Sequence, residues 1–383
     1  MHQEITDYVE GAIEFRAPGL LKVDAPVFID GSALPNRLSV PRVCAVSTNT
    51  KRFLPVNGFD ALVKFHDSDG FIASQEIAAR AARWANYLWR NNIRGLFVFN
   101  TVDAQPWDYR GVNPMFDVLP VWQYVRPTSS AGSVFLFPLD SKYAGPGTRN
   151  LPMVGFDDVP FRQKIPRVFW RGAPNGTCFR NGKMRWLMPE MRNYLASPEG
   201  PSGERIDRST LLDFLRVRVV DNLCNSPVAD VAFSRAPVGV PDVVRHEALN
   251  WFREPAAKSE QSRFKYLLAL EGNDIPTGIY WSLASNSIVL VPQRGWETAL
   301  DFGLQPGVHY VPTGDTAEDI ENTIELCEAD VAMCESIIDN AHRFIDRITD
   351  INLRDTIDFE VATRYSNRFR ELFGREDKSL YAI

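Results

Sequence analysis

Histidine and cysteine are scarce in this chain, five of each among 383 residues, and their placement sets several chemistries aside. His2, His66, His246, His309 and His342 form no pair with one another, with cysteine or with an acid at metal-ligand spacing, which argues against a zinc site. Cys44, Cys178, Cys224, Cys327 and Cys334 are odd in number, scattered and free of any CxxC pair. They read as reduced structural thiols of a cytoplasmic protein. Cys327 and Cys334 lie seven apart in one helical pattern, which suggests a packed face. The chain also lacks HExxH, GxSxG and a Walker A sequence, so protease, esterase and P-loop ATPase readings start low. It has no run of 18 apolar residues to span a membrane and no N-terminal basic-plus-apolar segment of a secretory signal. Basic excess is absent too. A net charge of −6 and a pI near 5.5 are not the footprint of a nucleic-acid binder.

What is present suits a soluble globular protein: 45% apolar and 23% charged residues. The length is too great for one ordinary core, so two domains are expected. Nine Trp, eleven Tyr and 24 Phe are abundant; such rings line sugar sites, although most of them belong to cores. "SQEIAARAARWANYLWRNNI" (74–93) carries Ile77, Ala81, Trp84 and Leu88 near a 3.6-residue period and predicts a helix. "GLFVFN" (95–100) follows at once as a short buried strand. Helix, tight turn and strand make an α/β unit. Proline and glycine crowd 104–160, with "SVFLFPL" (133–139) a further strand. A second α/β region opens at "KIPRVFWRG" (164–172). "LLDFLRVRVVDNL" (211–223) reads as helix or helix-to-strand, "QSRFKYLLALEG" (261–272) ends in a strand, and "IVLV" (288–291) is a strand buried on both faces. Residues 316–348 predict two helices and 355–373 a last amphipathic one. The expected class is α/β, in two halves joined near 140–163.

Candidate chemistry sits at the predicted strand ends, where open α/β sheets bind ligands. In "FVFNTVDAQPWDYR" (97–110), the strand ends at Asn100 and Asp103 follows in the loop. An acid there can serve as a general base; equally, Asp103 or Asn100 can simply bond its own turn. In "FWRGAPNGTCFR" (169–180), Arg171 and Gly172 end a strand and Arg180 lies a turn or two on. A guanidinium fork suits phosphate oxygens and glycine permits close approach, against the alternative of a surface arginine in a turn. Gly272, Asn273, Asp274 and Thr277 precede Ser285, Asn286 and Ser287. If 277–285 is a helix, 272–277 is its anion-favouring start, or Asp274 or Thr277 is only its cap. Glu297 in the next loop can take both hydroxyls of a ribose, or is a first-turn helix acid. In this order the residues give a base in one half and a diphosphate and ribose grip in the other, as a nucleotide-sugar enzyme needs.

"RVFWRGAPNGT", "FKYLLALEGNDIPTGIYWSLASNSIVLVP" and "WETALDFGLQPGVHYVP" resemble the hallmark segments of glycosyltransferase family 90. The resemblance runs in ordered blocks over roughly 95–345 and is nearest the bacterial lipopolysaccharide-modifying branch; protein O-glucosyltransferases and capsule xylosyltransferases are the other members. It implies a GT-B architecture of two Rossmann-like domains facing across a cleft, divided here as 1–160 and 161–354, with the C-terminal helix at 355–383 packing back on the first. It further implies an inverting transfer of glucose or xylose from a UDP-sugar to a hydroxyl of a saccharide acceptor, without an obligatory metal or other cofactor. The base of the family's N-x-x-D segment maps onto Asp103 of "NTVD", with Asn100 and Trp107 on the acceptor side. Arg171 matches the arginine of its "RG" turn, and the donor set extends over Gly172, Arg180, Lys265, Gly272, Asn273, Asp274, Thr277, Ser285, Asn286, Ser287 and Glu297. The chain departs from the eukaryotic members at Gly278, where they carry arginine, and at Asn286, where they carry glycine. Expected partners are the UDP-sugar and a saccharide or glycolipid, with no nucleic acid. The expected location is the cytoplasm, including the cytoplasmic face of the inner membrane. The alternatives are a catalytically silent saccharide-binding protein and a retaining GT-B transferase.

Overall fold

A computed structural model describes residues 2–18, 43–48, 51–54, 63–66, 69–73, 76–100, 120–129, 134–137, 154–180, 183–196, 207–234, 246–276 and 278–373. The chain divides into two compact units. One comprises Met1–Leu151, Trp296–Phe302 and Ile348–Ile383; the other comprises Pro152–Gly295 and Gly303–Arg347.

The first unit begins with α1 (His2–Arg16), β1 (Val43–Ser47), β2 (Arg52–Leu54), β3 (Val63–His66), β4 (Gly70–Ala73) and α2 (Glu76–Arg90). It continues with β5 (Leu96–Asn100), β6 (Val121–Gln123), β7 (Val125–Pro127) and β8 (Val134–Leu136). Its main sheet has the order β2-β1-β5-β6-β8. β1 runs antiparallel to β2 and β5, while β5, β6 and β8 are parallel. Helix α2 buries Ala81, Trp84, Ala85 and Leu88 completely, the three-and-four spacing of one helix face. The helix stops at Asn92, which takes φ 57°. The amide of Ile93 donates to Leu88 O (2.9 Å) and that of Asn92 to Trp89 O (3.1 Å). This left-handed cap turns the chain within a few residues into β5, every residue of which is buried.

The second unit begins with β9 (Ile165–Gly172), β10 (Thr177–Arg180), β11 (Lys183–Trp186), α3 (Leu187–Ala196), α4 (Arg208–Leu211) and α5 (Leu215–Leu223). It continues with β12 (Ala229–Phe233), α6 (Lys258–Gln261), β13 (Phe264–Leu268), α7 (Ile279–Leu283) and β14 (Ile288–Val291). β15 (Trp296–Thr298) belongs to the first unit, where it pairs antiparallel with β7. β16 (Val311–Pro312), α8 (Ala317–Ala329) and α9 (Val331–Thr349) follow, and α10 (Ile351–Phe373) lies in the first unit. There Tyr365 Oη donates to Leu96 O at 2.6 Å, and Val361, Ala362 and Phe369 join the core.

The sheet of the second unit has the order β12-β9-β13-β14-β16, and all its pairs are parallel. β14 is buried along its length, as a strand covered on both faces must be. Pro166 falls inside β9 because the β9–β13 register slips there: Ile165 faces Phe264 and Val168 faces Tyr266. Such an irregularity tolerates a residue without an N–H.

Three local expectations are corrected. Residues 272–276 do not start a helix. α7 begins only at Ile279 and is five residues long, because Pro276 drives the residue before it out of the helical region. Glu297 lies in strand β15 rather than in a loop or a first helical turn. Cys327 and Cys334 stand on successive helices, α8 and α9. Both are buried, with Cys334 Sγ 3.4 Å from Cys327 O.

Candidate functional site

In the second unit the chain lays down β9 first, β12 on one side of it and β13 on the other. The direction of winding therefore reverses between β9 and β13, and the carboxyl ends of strands at such a switch point form a crevice. A cavity of about 310 Å³ lies there, the lower end of the usual size for a small-molecule site. Its walls come from the end of β9 (Phe169–Ala173), the end of β13 with the following loop (Leu267–Leu270, Pro276), and α7 (Gly278, Trp281, Ser282). Arg216 of α5, Asn175 and Gln261 of α6 complete them.

Arg171 lines this cavity as a firmly anchored residue. Its Nη2 donates to Asp230 Oδ1 at 2.6 Å and its Nη1 to the carbonyls of Trp170 and Asp230 at 2.9 Å. The guanidinium lies over the Phe169 ring, 4.7 Å from its centroid, and its buried Nε has no hydrogen-bond partner. Asp230 also accepts from Arg253. Burial alone would raise the Asp230 carboxyl; the bond and charge of Arg171 and those of Arg253 outweigh it and hold the group below its ordinary value. Gly172 is glycine because the Trp170 indole occupies the space a side chain would need.

Arg216 was not singled out in the sequence. It belongs to the segment whose helix or strand character the pattern left open, and α5 settles this. Val219, Val220 and Leu223, three, four and seven residues on, are wholly buried, so Arg216 sits on the core-facing stripe of the helix. A cation on such a stripe is the signal that could have found it. Its Nε donates to Leu270 O (3.3 Å) and Glu271 O (3.2 Å), and Nη2 donates to Leu270 O (2.9 Å). Nη1 donates to Ala173 O (3.0 Å) and to Asn175 Oδ1, and the guanidinium stands 5.5 Å from the Trp170 ring centroid. Burial pushes its pKa down to about 10, against the opposing charges of Asp274 and Glu271. The two strand-end loops are further knit by Thr177, whose amide and hydroxyl donate to Gly272 O (3.2 Å) and Asn273 O (3.3 Å).

Trp281 is half-buried on the cavity wall, edge-on to Phe156 with ring centroids 6.3 Å apart. Gly272, Asn273 and Asp274 form the turn beside the cavity, with the amide of Gly272 donating to Asp274 O at 3.0 Å.

Other expected donor residues are not brought into this cavity. Ser285, Asn286 and Ser287 precede β14 and therefore lie at the amino edge of a parallel sheet, opposite the carboxyl edge where the cavity opens. There Ser287 Oγ donates to Phe264 O (2.7 Å), and Asn286 bonds Asp157 O (2.7 Å), Asp157 Oδ2 (2.9 Å) and Val159 O (3.2 Å). Asp157 is also the partner of buried Lys164, an amine whose pKa burial lowers despite that carboxylate. Lys265 is paired with Glu328 at 2.7 Å. Arg180 is exposed and paired with Asp213 at 2.9 Å. Glu297 lies in the first unit, 2.6 Å from Arg126 Nε. Asn100 is buried at the end of β5 and donates to Gln123 Oε1 at 3.1 Å. Asp103, Trp107 and Thr277 lie outside the described residues.

Residues 239–372 match the model of glycosyl transferase family 90. The chain is 35% identical over 192 residues to O-glucosyltransferase LpsA of Dichelobacter nodosus, a stretch covering 50% of this chain and 46% of that protein. It is 32% identical over 87 residues to uncharacterized protein 035R of Invertebrate iridescent virus 3, covering 22% of this chain and 8% of that one. The chain thus spans about half the length, or less, of the curated relatives it matches.

Proposed function

Residues 239–372 belong to glycosyl transferase family 90, and from that premise we propose that the protein moves a sugar from a UDP-sugar to a hydroxyl of a saccharide acceptor. The observation that carries the reading is a coincidence of place. The loop after β13, Gly278, Trp281 and Ser282, which wall the switch-point cavity, all fall inside the family stretch. The doubly wound second unit suits the nucleotide-sugar half of a GT-B enzyme. The similarity to a bacterial O-glucosyltransferase puts glucose first among donors, with xylose next, and supports an acceptor in lipopolysaccharide or another surface glycan. Among the described residues no helix is long and apolar enough to cross a membrane; the reading includes a peripheral contact with the inner membrane.

In the proposed reaction Asp103 takes the proton of an acceptor hydroxyl as that oxygen attacks the anomeric carbon from the face opposite UDP. The new bond inverts the configuration, and the electron pair of the broken C–O bond leaves with the diphosphate. Positive charge held ready at the cavity stabilises that leaving group without reorganisation, in place of a divalent metal. A panel of UDP-glucose, UDP-xylose, UDP-galactose and UDP-GlcNAc with saccharide acceptors, read by released UDP and by NMR of the product anomer, tests the reading. Absence of acceptor-dependent UDP release with every donor would end it, and a product of retained configuration would end the inverting mechanism.

A further inference from the structure

The two arginines on the cavity wall carry charges that are met in different ways. Arg171 is ion-paired: Asp230 lies 2.6 Å from its Nη2 and both Nη groups are engaged. Arg216 has no carboxylate at hydrogen-bond distance among the described residues. Its acceptors are the carbonyls of Ala173, Leu270 and Glu271 and the amide oxygen of Asn175, all of them neutral. Asp274 and Glu271 act on it only through space, and Glu271 Oε1 is itself taken by the amide of Gly295 at 2.8 Å.

Neutral dipoles solvate a cation without cancelling its charge, and a guanidinium withdrawn from water is stabilised further by an anion. Nη2 carries two N–H groups. One reaches Leu270 O; the other has no partner among the described residues. The fork is also held rigid, because its acceptors come from both loops that frame the cavity. A ligand anion therefore meets a donor whose ordering cost is already met by the fold.

We propose that Arg216 is the residue that recognises the phosphate of the ligand in this cavity, while Arg171, neutralised by Asp230, shapes the wall. The proposal rests on the UDP-sugar reading and assigns within it the charge that meets the diphosphate.

Calorimetric titration of UDP and of uridine into wild type, Arg216→Gln and Arg216→Lys tests it. Wild type binds UDP more tightly than uridine. In Arg216→Gln the affinity for UDP falls roughly 10- to 100-fold, the loss expected for a charged hydrogen bond, while that for uridine is unchanged. Arg216→Lys keeps the charge without the fork, loses a smaller part, and covers a glutamine variant that fails to fold. An unchanged UDP-to-uridine ratio in either folded variant overturns the assignment and leaves the UDP-sugar reading standing. So does an equal loss of both ligands, which would mark a purely structural role. Wild-type protein that binds neither ligand overturns the UDP-sugar reading and the assignment with it.

Discussion

Gly272 approaches Arg216 so closely that a Cβ on the glycine would lie 2.6 Å from Nη2 and 2.7 Å from Cζ. The glycine is there to leave room for a guanidinium that is fastened to two loops at once. A free arginine would swing aside, whereas this one must give up its acceptors to do so. Gly272→Ala is expected to lower the free energy of unfolding by roughly 1–3 kcal/mol, the usual cost of overpacking, and to weaken UDP binding. Urea denaturation with parallel calorimetry measures both; unchanged stability together with unchanged binding would show that the contact is soft.

Asp230 gives a pH dependence of defined sign. Its carboxyl is held below the ordinary value by Arg171 and Arg253 against the effect of burial. A depressed folded-state pKa means that the unfolded chain binds the proton more readily. The cluster therefore contributes stability at pH above about 4, the unfolded value for aspartate, and loses it as pH falls through the folded value. Thermal unfolding of wild type and Asp230→Asn should show a gap at pH 7 that closes on acidification below about pH 4. A gap that stays constant would remove the ion pair from the account.

The turn before β14 is predicted to matter for folding. Asn286→Ala removes the bonds to Asp157 and Val159 and should cost roughly 1–3 kcal/mol. Lys164→Ala strands Asp157, whose side chain is 1% exposed, and should cost about 3–5 kcal/mol. Neither change is expected to alter the UDP affinity of the protein that remains folded. A selective loss of UDP affinity in folded Asn286→Ala would restore a direct donor role to this turn.

Asp103→Asn should reduce turnover by on the order of 100- to 10,000-fold, the worth of a general base, and leave UDP binding nearly intact. Transfer at near the wild-type rate by that variant would take Asp103 out of the mechanism.

In the first unit, Arg16 pairs with Asp358 of α10 and donates from Nε to Ala299 O at 3.1 Å. Burial raises the Asp358 carboxyl, with the Arg16 charge opposing it. Arg16→Ala removes the hydrogen-bonded partner of a buried carboxylate, leaving the charge of Arg354 acting on it, and should cost about 3–5 kcal/mol, measured by denaturation of the full chain. A change within experimental error would mean that water or rearrangement takes over the pair.

Local pattern was enough for some of the elements. The three-and-four spacing of Ile77, Ala81, Trp84 and Leu88 identified α2. The apolar runs "LFVFN" and "IVLV" gave β5 and β14, and the Arg-Gly at 171–172 and the glycine at 272 marked cavity-lining turns. These features are readable because periodicity and backbone freedom are properties of neighbours along the chain. The long apolar-and-arginine stretch 211–223 was ambiguous because alternating Leu215, Val217 and Val219 imitates a strand, while Val219, Val220 and Leu223 follow the helix period.

Tertiary structure alone decided the rest, for a physical reason that recurs at each site. Side-chain partners are chosen through space, and no sequence spacing records the choice. Arg216 meets Leu270, 54 residues away, and Glu297 meets Arg126 at a separation of 171. The parallel order of five strands sends Arg171 and the 270–276 loop to one edge of the sheet and Ser285–Ser287 to the other. Residue types by themselves determined that this chain builds α/β units with polar turns at strand ends. Which of those turns shares a cavity, and which arginine keeps its charge available there, followed only from strand order and packing.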